Sequence, residues 1–134
     1  MGWVVLGAVG WSLEQRRRRK WATGAVGVLA AHGAAVAVKR LVRRARPQFD
    51  HIPPLVTTPS GLSFPSAHMA STAAAAYGFG PLMGPRVMAA AVGCMGVSRV
   101  LLGVHWPTDV VAGAVLGRGV AAAVRQVVNG GMTR

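Results

Sequence analysis

From Trp21 to about Val42 the chain is apolar, with Arg16-Arg17-Arg18-Arg19-Lys20 before the segment and Lys39, Arg40, Arg43, Arg44 and Arg46 closing it. A helix of roughly 20 apolar residues is what the ~30 Å hydrocarbon core of a bilayer requires. The segment is long enough to cross, and its flanking cations suit the headgroup regions. The rest of the composition agrees: 52% of the residues are hydrophobic and 13% charged, where a soluble domain carries about 25% charged residues. The chain is expected to be embedded in a membrane.

Lys and Arg number 15 against three acids, Glu14, Asp50 and Asp109, for a formal charge of +12. Such an excess points to nucleic acid, anionic lipid or a phosphate-bearing substrate. Nucleic acid fits worst, because the cations flank apolar runs and no aromatic pattern for base stacking accompanies them. No nucleic-acid partner is expected, and membrane lipids and a lipid phosphate are. Cys94 is the single cysteine, which excludes an internal disulfide and any multi-cysteine metal site. Its apolar neighbours assign it to packing.

Residues 1–13 form a shorter apolar run that precedes its positive residues, the reverse of a secretory signal. It is expected to be retained as a short first helix, reaching about 20 Å as an interfacial segment or partial span. Trp11 and Trp21 flank the first basic cluster as interfacial anchors, and the cluster's sign places that end in the cytoplasm. His32, mid-segment among alanines and glycines, is assigned to a helix-packing hydrogen bond. Residues 48–64 carry Pro53, Pro54, Pro59 and Gly61, an irregular loop whose Asp50 and His51 are read as solvated or turn-forming.

Helical runs follow at about 68–83, 86–104 and 107–127, the first two joined by Gly84-Pro85. The expected fold is all-α: one domain over residues 1–134, a polytopic membrane bundle of four transmembrane helices plus the short N-terminal apolar helix. Gly113 and Gly117, one and two turns beyond Asp109, form a small-xxx-small pair that makes the face carrying the acid a packed interior face.

Three polar motifs interrupt these helices. Ser98-Arg99 is followed by His105 and Asp109, a guanidinium, an imidazole and a carboxylate in apolar surroundings, where such groups are rarely idle. If Trp106-Pro107-Thr108 opens a helix, His105 and Asp109 stack on one face, the carboxylate holding one ring nitrogen and leaving the other free. Lys39 and Arg46 are seven residues apart, almost two helical turns, so on a continuing helix they point the same way and grip one anion. The alternative is a snorkelling basic collar, the reading given to Arg40, Arg43 and Arg44. Spacing does not separate the two. Ser66 is placed to cap a helix whose first backbone N–H groups attract anions. Counting crossings brings all three motifs to the membrane face opposite Arg16 to Lys20, and the resulting set suits a phosphate.

Lys39 followed after six residues by Arg46-Pro47, then Pro65-Ser66-Ala67-His68, then Ser98-Arg99 with His105 and Asp109, resembles the three motifs of the type 2 phosphatidic acid phosphatase family, in order and with its spacings. One departure is visible: Ala67 stands where the family usually has glycine. The resemblance implies His105 as a nucleophile that forms a phosphohistidine, Asp109 as its orienting partner and His68 as the acid for the leaving oxygen. It implies that Lys39, Arg46, Ser66, Ala67, Ser98 and Arg99 bind the phosphoryl group. Cationic positioning of this kind calls for neither metal nor cofactor.

The small size and Ala/Gly-rich helices look most like the family's small actinobacterial members, implying a substrate such as decaprenylphosphoryl phosphoribose in cell-wall arabinan precursor synthesis. Undecaprenyl pyrophosphate and phosphatidylglycerophosphate are the alternatives within the family, because the motifs read the phosphate and not the lipid. From other classes, His68, His105 and Asp109 could form a two-histidine, one-carboxylate iron site of an oxygenase, or the cations could serve a non-catalytic anionic-lipid-binding protein. Arg16 to Lys20, Arg86, Arg125 and Arg134 on the face away from the motifs outweigh Arg40, Arg43 and Arg44. The bias predicts an integral protein of the plasma (inner) membrane with its site outside the cytoplasm.

Overall fold

A computed structural model describes residues 2–48 and 56–131. Among the described residues there are five α-helices: α1 Gly2–Leu13, α2 Arg18–Val42, α3 Ala67–Met83, α4 Pro85–Leu101 and α5 Pro107–Gly130, with a 3-10 turn at Gln15–Arg17 between the first two. Asp50, His51 and the tail from Met132 to Arg134 lie outside the described residues. The fold is all-α, as the sequence predicts, but its spans are uneven. Two stretches, Gln15–Val42 and Pro107–Gly130, are long and apolar enough to cross a membrane by themselves. The helices α3 and α4 have 17 residues each, about 25 Å of rise.

Each helix end has a local cause. Ser66 caps α3 by accepting the Met69 N–H at 3.4 Å. Gly84, at φ 97°, turns the chain between α3 and α4 in a conformation that suits glycine, and Pro85 and Pro107 open α4 and α5 where a missing N–H costs nothing. At the end of α2, Arg43 adopts a left-handed φ of 52° and donates its N–H to Lys39 O at 3.1 Å. Pro47 then disfavours helical backbone at Arg46. This corrects the expectation that Lys39 and Arg46 share one helix face. Arg46 lies in an extended stretch that runs against the end of the loop: its N–H donates to Gly61 O at 3.3 Å, beside a bridge between Ala45 and Leu62.

The central helix is α3, packed against α2, α4 and α5, while α4 leans on α3 and scarcely meets α5. Missing side chains allow the closest approaches. Gly24 receives the Phe79 ring, and a Cβ on Gly78 would meet the Gly24 backbone at 2.8 Å. Between α3 and α5, a Cβ on Gly113 would stand 2.5 Å from Ser66 O, and one on Gly117 would overlap the Ala70 carbonyl. The small-xxx-small pair is a packed interior face, with Asp109, Gly113, Gly117 and Ala121 all buried. His32 makes its packing contact, Nδ1 lying 3.2 Å from Ser71 Oγ.

Two expectations about single residues are corrected. Trp21 is a core residue and not an interfacial anchor: it is 8% exposed, tilted against Phe79 with centroids 5.3 Å apart, and its indole donates to Glu14 Oε2 at 2.8 Å. Trp11 remains exposed under the Arg18 guanidinium. Cys94 is exposed on α4, because that helix buries only Met88.

The α3–α5 approach yields a direct test. Gly117→Ala should destabilise the protein by about 1–3 kcal/mol, the usual cost of overpacking, whereas Gly119→Ala, with open space around it, should be neutral or stabilising. Thermal unfolding in detergent compares the two, and equal midpoints would contradict the packing.

Candidate active site

One end of the bundle gathers the end of α2, the starts of α3 and α5, and the paired stretches around Ala45 and Leu62. Asp109 is the fixed point of this end. It is fully buried in the first turn of α5, where Oδ2 accepts the Trp106 N–H at 2.9 Å and its own N–H donates to Trp106 O at 2.9 Å. Its carbonyl accepts the Ser66 N–H at 3.0 Å, tying the start of α5 to the start of α3. Its second carboxylate oxygen, Oδ1, accepts from Arg44 Nη1 at 3.1 Å.

His105 precedes Trp106, the N-cap of α5, so the pair does not stack on a helix face as the four-residue spacing suggests. The carboxylate turns back to cap its own helix and there meets the ring. His105 Nδ1 faces Asp109 Oδ2 at 3.5 Å, with no hydrogen bond formed to Nδ1 among the described residues. On the other side, Nε2 lies 3.5 Å from Arg46 Nη1. A proton on Nδ1, toward the carboxylate, leaves the Nε2 lone pair directed at the cations. Burial, then the charges of Arg46 and Lys39, push the His105 pKa down to about 4, against the opposing pull of Asp109. The ring is neutral at ordinary pH.

The two motif cations are held by backbone oxygens. Arg46 donates from Nη1 to Val104 O at 2.6 Å and from Nε to Ser60 O at 2.9 Å. Burial lowers its pKa, with Asp109 opposing and Arg99 adding to the shift. Lys39, 9% exposed, donates to Leu62 O and Ser63 O, each at 3.0 Å, which leaves its ammonium one further donor. Ser66 is fully buried as the cap of α3, and Ala67 is that helix's first residue, comfortable with its Cβ in place. The first N–H groups of α3 thus open beside those of α5.

Other expected residues are placed less centrally. Ser98 Oγ donates back to Met95 O at 2.8 Å, and Arg99 Nε donates to Ser98 Oγ at 3.3 Å, both near the end of α4. His68 makes no hydrogen bond to His105 or Asp109; it lines a cavity of about 460 Å³ with His32, Ser71, Thr72 and Trp3. Among the described residues no three His, Cys, Asp or Glu side chains stand close enough to hold a metal. The two-histidine, one-carboxylate iron set does not assemble.

Three contributors escaped the sequence reading. Arg44, assigned there to a basic collar, instead reaches Asp109 and also donates to Thr108 Oγ1 at 2.7 Å, its guanidinium 5.3 Å from the Trp106 ring. Ser63, fully buried, fixes the loop by donating its hydroxyl to Ala45 O at 2.9 Å and its N–H to Arg44 O at 2.7 Å. Trp106 donates its indole N–H to Ala45 O at 3.3 Å. Nothing in the spacing marked them. The available hint was that Asp109 has two oxygens in a dry place and His105 can face only one.

The PAP2 superfamily model matches residues 21–132, and the chain belongs to that family. It is a membrane phosphatase. It is 47% identical over 130 residues to the decaprenylphosphoryl-5-phosphoribose phosphatase of Mycobacterium tuberculosis H37Rv, covering 97% of this chain and 73% of that protein. The Mycolicibacterium smegmatis protein of the same name is 49% identical over 112 residues, 84% of this chain and 62% of that one. Among solved structures, the transmembrane PAP2-type phosphatidylglycerolphosphate phosphatase of Bacillus subtilis superposes with a TM-score of 0.75 at 25% identity, over 94% of this chain and 67% of that one.

Arg44 supplies the test of this network. Arg44→Gln removes a charge-assisted hydrogen bond of about 1.5–3 kcal/mol from Asp109. Phosphatase turnover should fall about tenfold or more if that orientation carries into the transition state. Arg43→Gln, whose guanidinium donates to Arg40 O, should leave turnover nearly unchanged. Equal effects of the two would return Arg44 to the collar.

Proposed function

We propose that the chain is a metal-independent lipid phosphate monoesterase working through a phosphohistidine on His105, with decaprenylphosphoryl-5-phosphoribose as its substrate. The observation that carries the mechanism is the setting of His105: buried, one nitrogen toward Asp109 and the other toward Arg46. In this reading Nε2 attacks phosphorus while the bond to the leaving oxygen breaks, and His68 gives that oxygen its proton. Water, deprotonated by His68, then cleaves the phosphorus–nitrogen bond, releasing inorganic phosphate and restoring His105. Lys39, Arg46 and Arg99, with Ser66, Ser98 and the amide of Ala67, stabilise the equatorial oxygens.

The substrate assignment rests on the mycobacterial relatives, whose names specify that lipid-linked sugar phosphate. In the proposed topology α2 to α5 all cross the plasma membrane, the shorter pair tilted less than α2 and α5, and the catalytic end faces outward. The basic balance supports this orientation: Arg16 to Lys20, Arg86 and Arg125 gather at the opposite end.

Chelator-treated protein in detergent should release phosphate from decaprenylphosphoryl-5-phosphoribose faster than from phosphatidylglycerophosphate or undecaprenyl pyrophosphate. A reversed preference would overturn the substrate assignment. His105→Ala should abolish turnover of every substrate. His68→Ala should cripple turnover of sugar or lipid phosphates, whose alkoxides need a proton, and spare a nitrophenyl ester. Equal losses across leaving groups would remove His68 from the acid role, and label trapped on a residue other than His105 would remove the nucleophile.

The pH profile adds a signed test. Protonation of Nε2 stops attack, so kcat/KM falls as pH drops through the nucleophile's pKa. With that pKa pushed down to about 4, the acid limb should lie well below the ~6.5 of an ordinary histidine. An acid limb at the ordinary value would contradict the setting described for His105.

A further inference from the structure

The opposite end of the bundle holds a second concentration of charge that the phosphatase reaction does not use. A cavity of about 320 Å³ lies there between the start of α2 and the ends of α3 and α5, ringed by Arg16, Arg19, Lys20 and Arg125 with Thr23 and Asn129. Arg17 also lines it but is paired with Glu14 at 3.2 Å. No ion pair with an acid engages the other four cations among the described residues, and no acidic side chain lines the cavity. Cations that served only to orient the protein could spread over the surface. Here they converge on a concavity, where mutual repulsion is relieved by an anion.

The cavity does not end at its cationic rim. Tyr77, Pro81 and Arg125 also line a cleft of about 690 Å³ between α3, α4 and α5, whose walls include Ala73, Met88 and Val92. That cleft exists because α4 packs on α3 and scarcely on α5. Tyr77 sits at the junction with Arg125 and Arg118 at 5.8 and 5.9 Å from its ring. Arg118 and Arg125 line the α5 side of the cleft and the rest of its wall is mostly apolar, so a charged mouth leads into a largely apolar cleft, which matches an amphiphile and not a free anion.

We propose that this cavity binds the phosphate headgroup of an anionic phospholipid of the surrounding membrane, with an acyl chain lying in the α3–α4–α5 cleft. Arg125 is 16 residues beyond Asp109 on the same helix, about 24 Å along its axis. The bound lipid is therefore out of reach of His105 and is retained, not hydrolysed.

The test measures retention of phosphatidylglycerol by the full chain in neutral detergent, using native mass spectrometry and a lipid titration. Arg19→Gln/Arg125→Gln should weaken binding about tenfold or more, from the loss of two headgroup cations. Arg18→Gln/Arg86→Gln removes the same charge from the same end at residues that do not line the cavity, and should bind as the unaltered protein does. Both double variants should keep their turnover of a nitrophenyl phosphate, which shows that they fold. If the first does not fold, Arg16→Gln alone replaces it and should weaken binding in the same direction. Equal loss in both pairs, loss in neither, equal retention of phosphatidylcholine, or displacement of the lipid by equimolar inorganic phosphate would each overturn the proposal.

Discussion

The contact between α3 and α5 is the constraint from which the arrangement of the candidate site follows. Gly113 and Gly117 bring the backbone of α5 against the carbonyls of Ser66 and Ala70, closer than any side chain would permit. At that separation the two helices start side by side, joined by the Ser66 N–H to the Asp109 carbonyl. Both N-termini carry the positive end of a helix dipole. Two such ends in contact repel each other unless an anion lies between or beneath them, and Asp109 in the first turn of α5 supplies the fixed part of that negative charge. An incoming phosphate would supply the rest.

That balance explains why one carboxylate carries so many bonds. It caps α5 through Trp106, receives Arg44 and faces His105, so its orientation is set by helix geometry before the imidazole is considered. The looseness of the His105 contact, 3.5 Å with no hydrogen bond, fits a carboxylate already committed elsewhere. Orientation of the ring then depends as much on its burial and on Arg46 as on Asp109. The loop bonds held by Lys39 and Ser63 fix Arg46 in turn, which makes the scaffold of the site a continuous chain from α2 to α5.

Much of this was legible in the sequence because it depends on short-range rules. Apolar runs, Gly84-Pro85 and the Ser66 cap locate the helices to within a few residues, and the glycine pair marks the packed face of α5. The site motifs were visible as polar residues in apolar surroundings. What was not legible depended on where a helix stops and on where long side chains reach. Seven-residue spacing joins Lys39 and Arg46 only if α2 continues, and the left-handed turn at Arg43 ends it. The structure still brings both cations near His105, through the loop and not along a helix. Arg44 looked like its neighbours in a basic run, and only the fold shows that it alone reaches the buried acid. Trp21 had the right residue type and position for an interfacial anchor, yet the glycines at positions 10 and 24 open space that draws it and Phe79 inward.

In the proposed mechanism the cations that bind substrate also reinforce burial in keeping His105 neutral, and this coupling ties substrate binding to the electrostatics of the ring. Burial, then the charges of Arg46 and Lys39, lower the His105 pKa, keeping Nε2 unprotonated. In the proposed mechanism a phosphate dianion then settles among those charges and offsets their field. The basicity of His105 rises as its target comes within reach. Asp109 opposes the cations, and in the proposed mechanism it favours the charge that develops on the ring as the phosphorus–nitrogen bond forms. A histidine in a weaker positive field would be protonated more readily at rest, and one without the carboxylate would lack compensation in the transition state. On that proposal the two signs of charge around one buried ring act at different moments of the reaction.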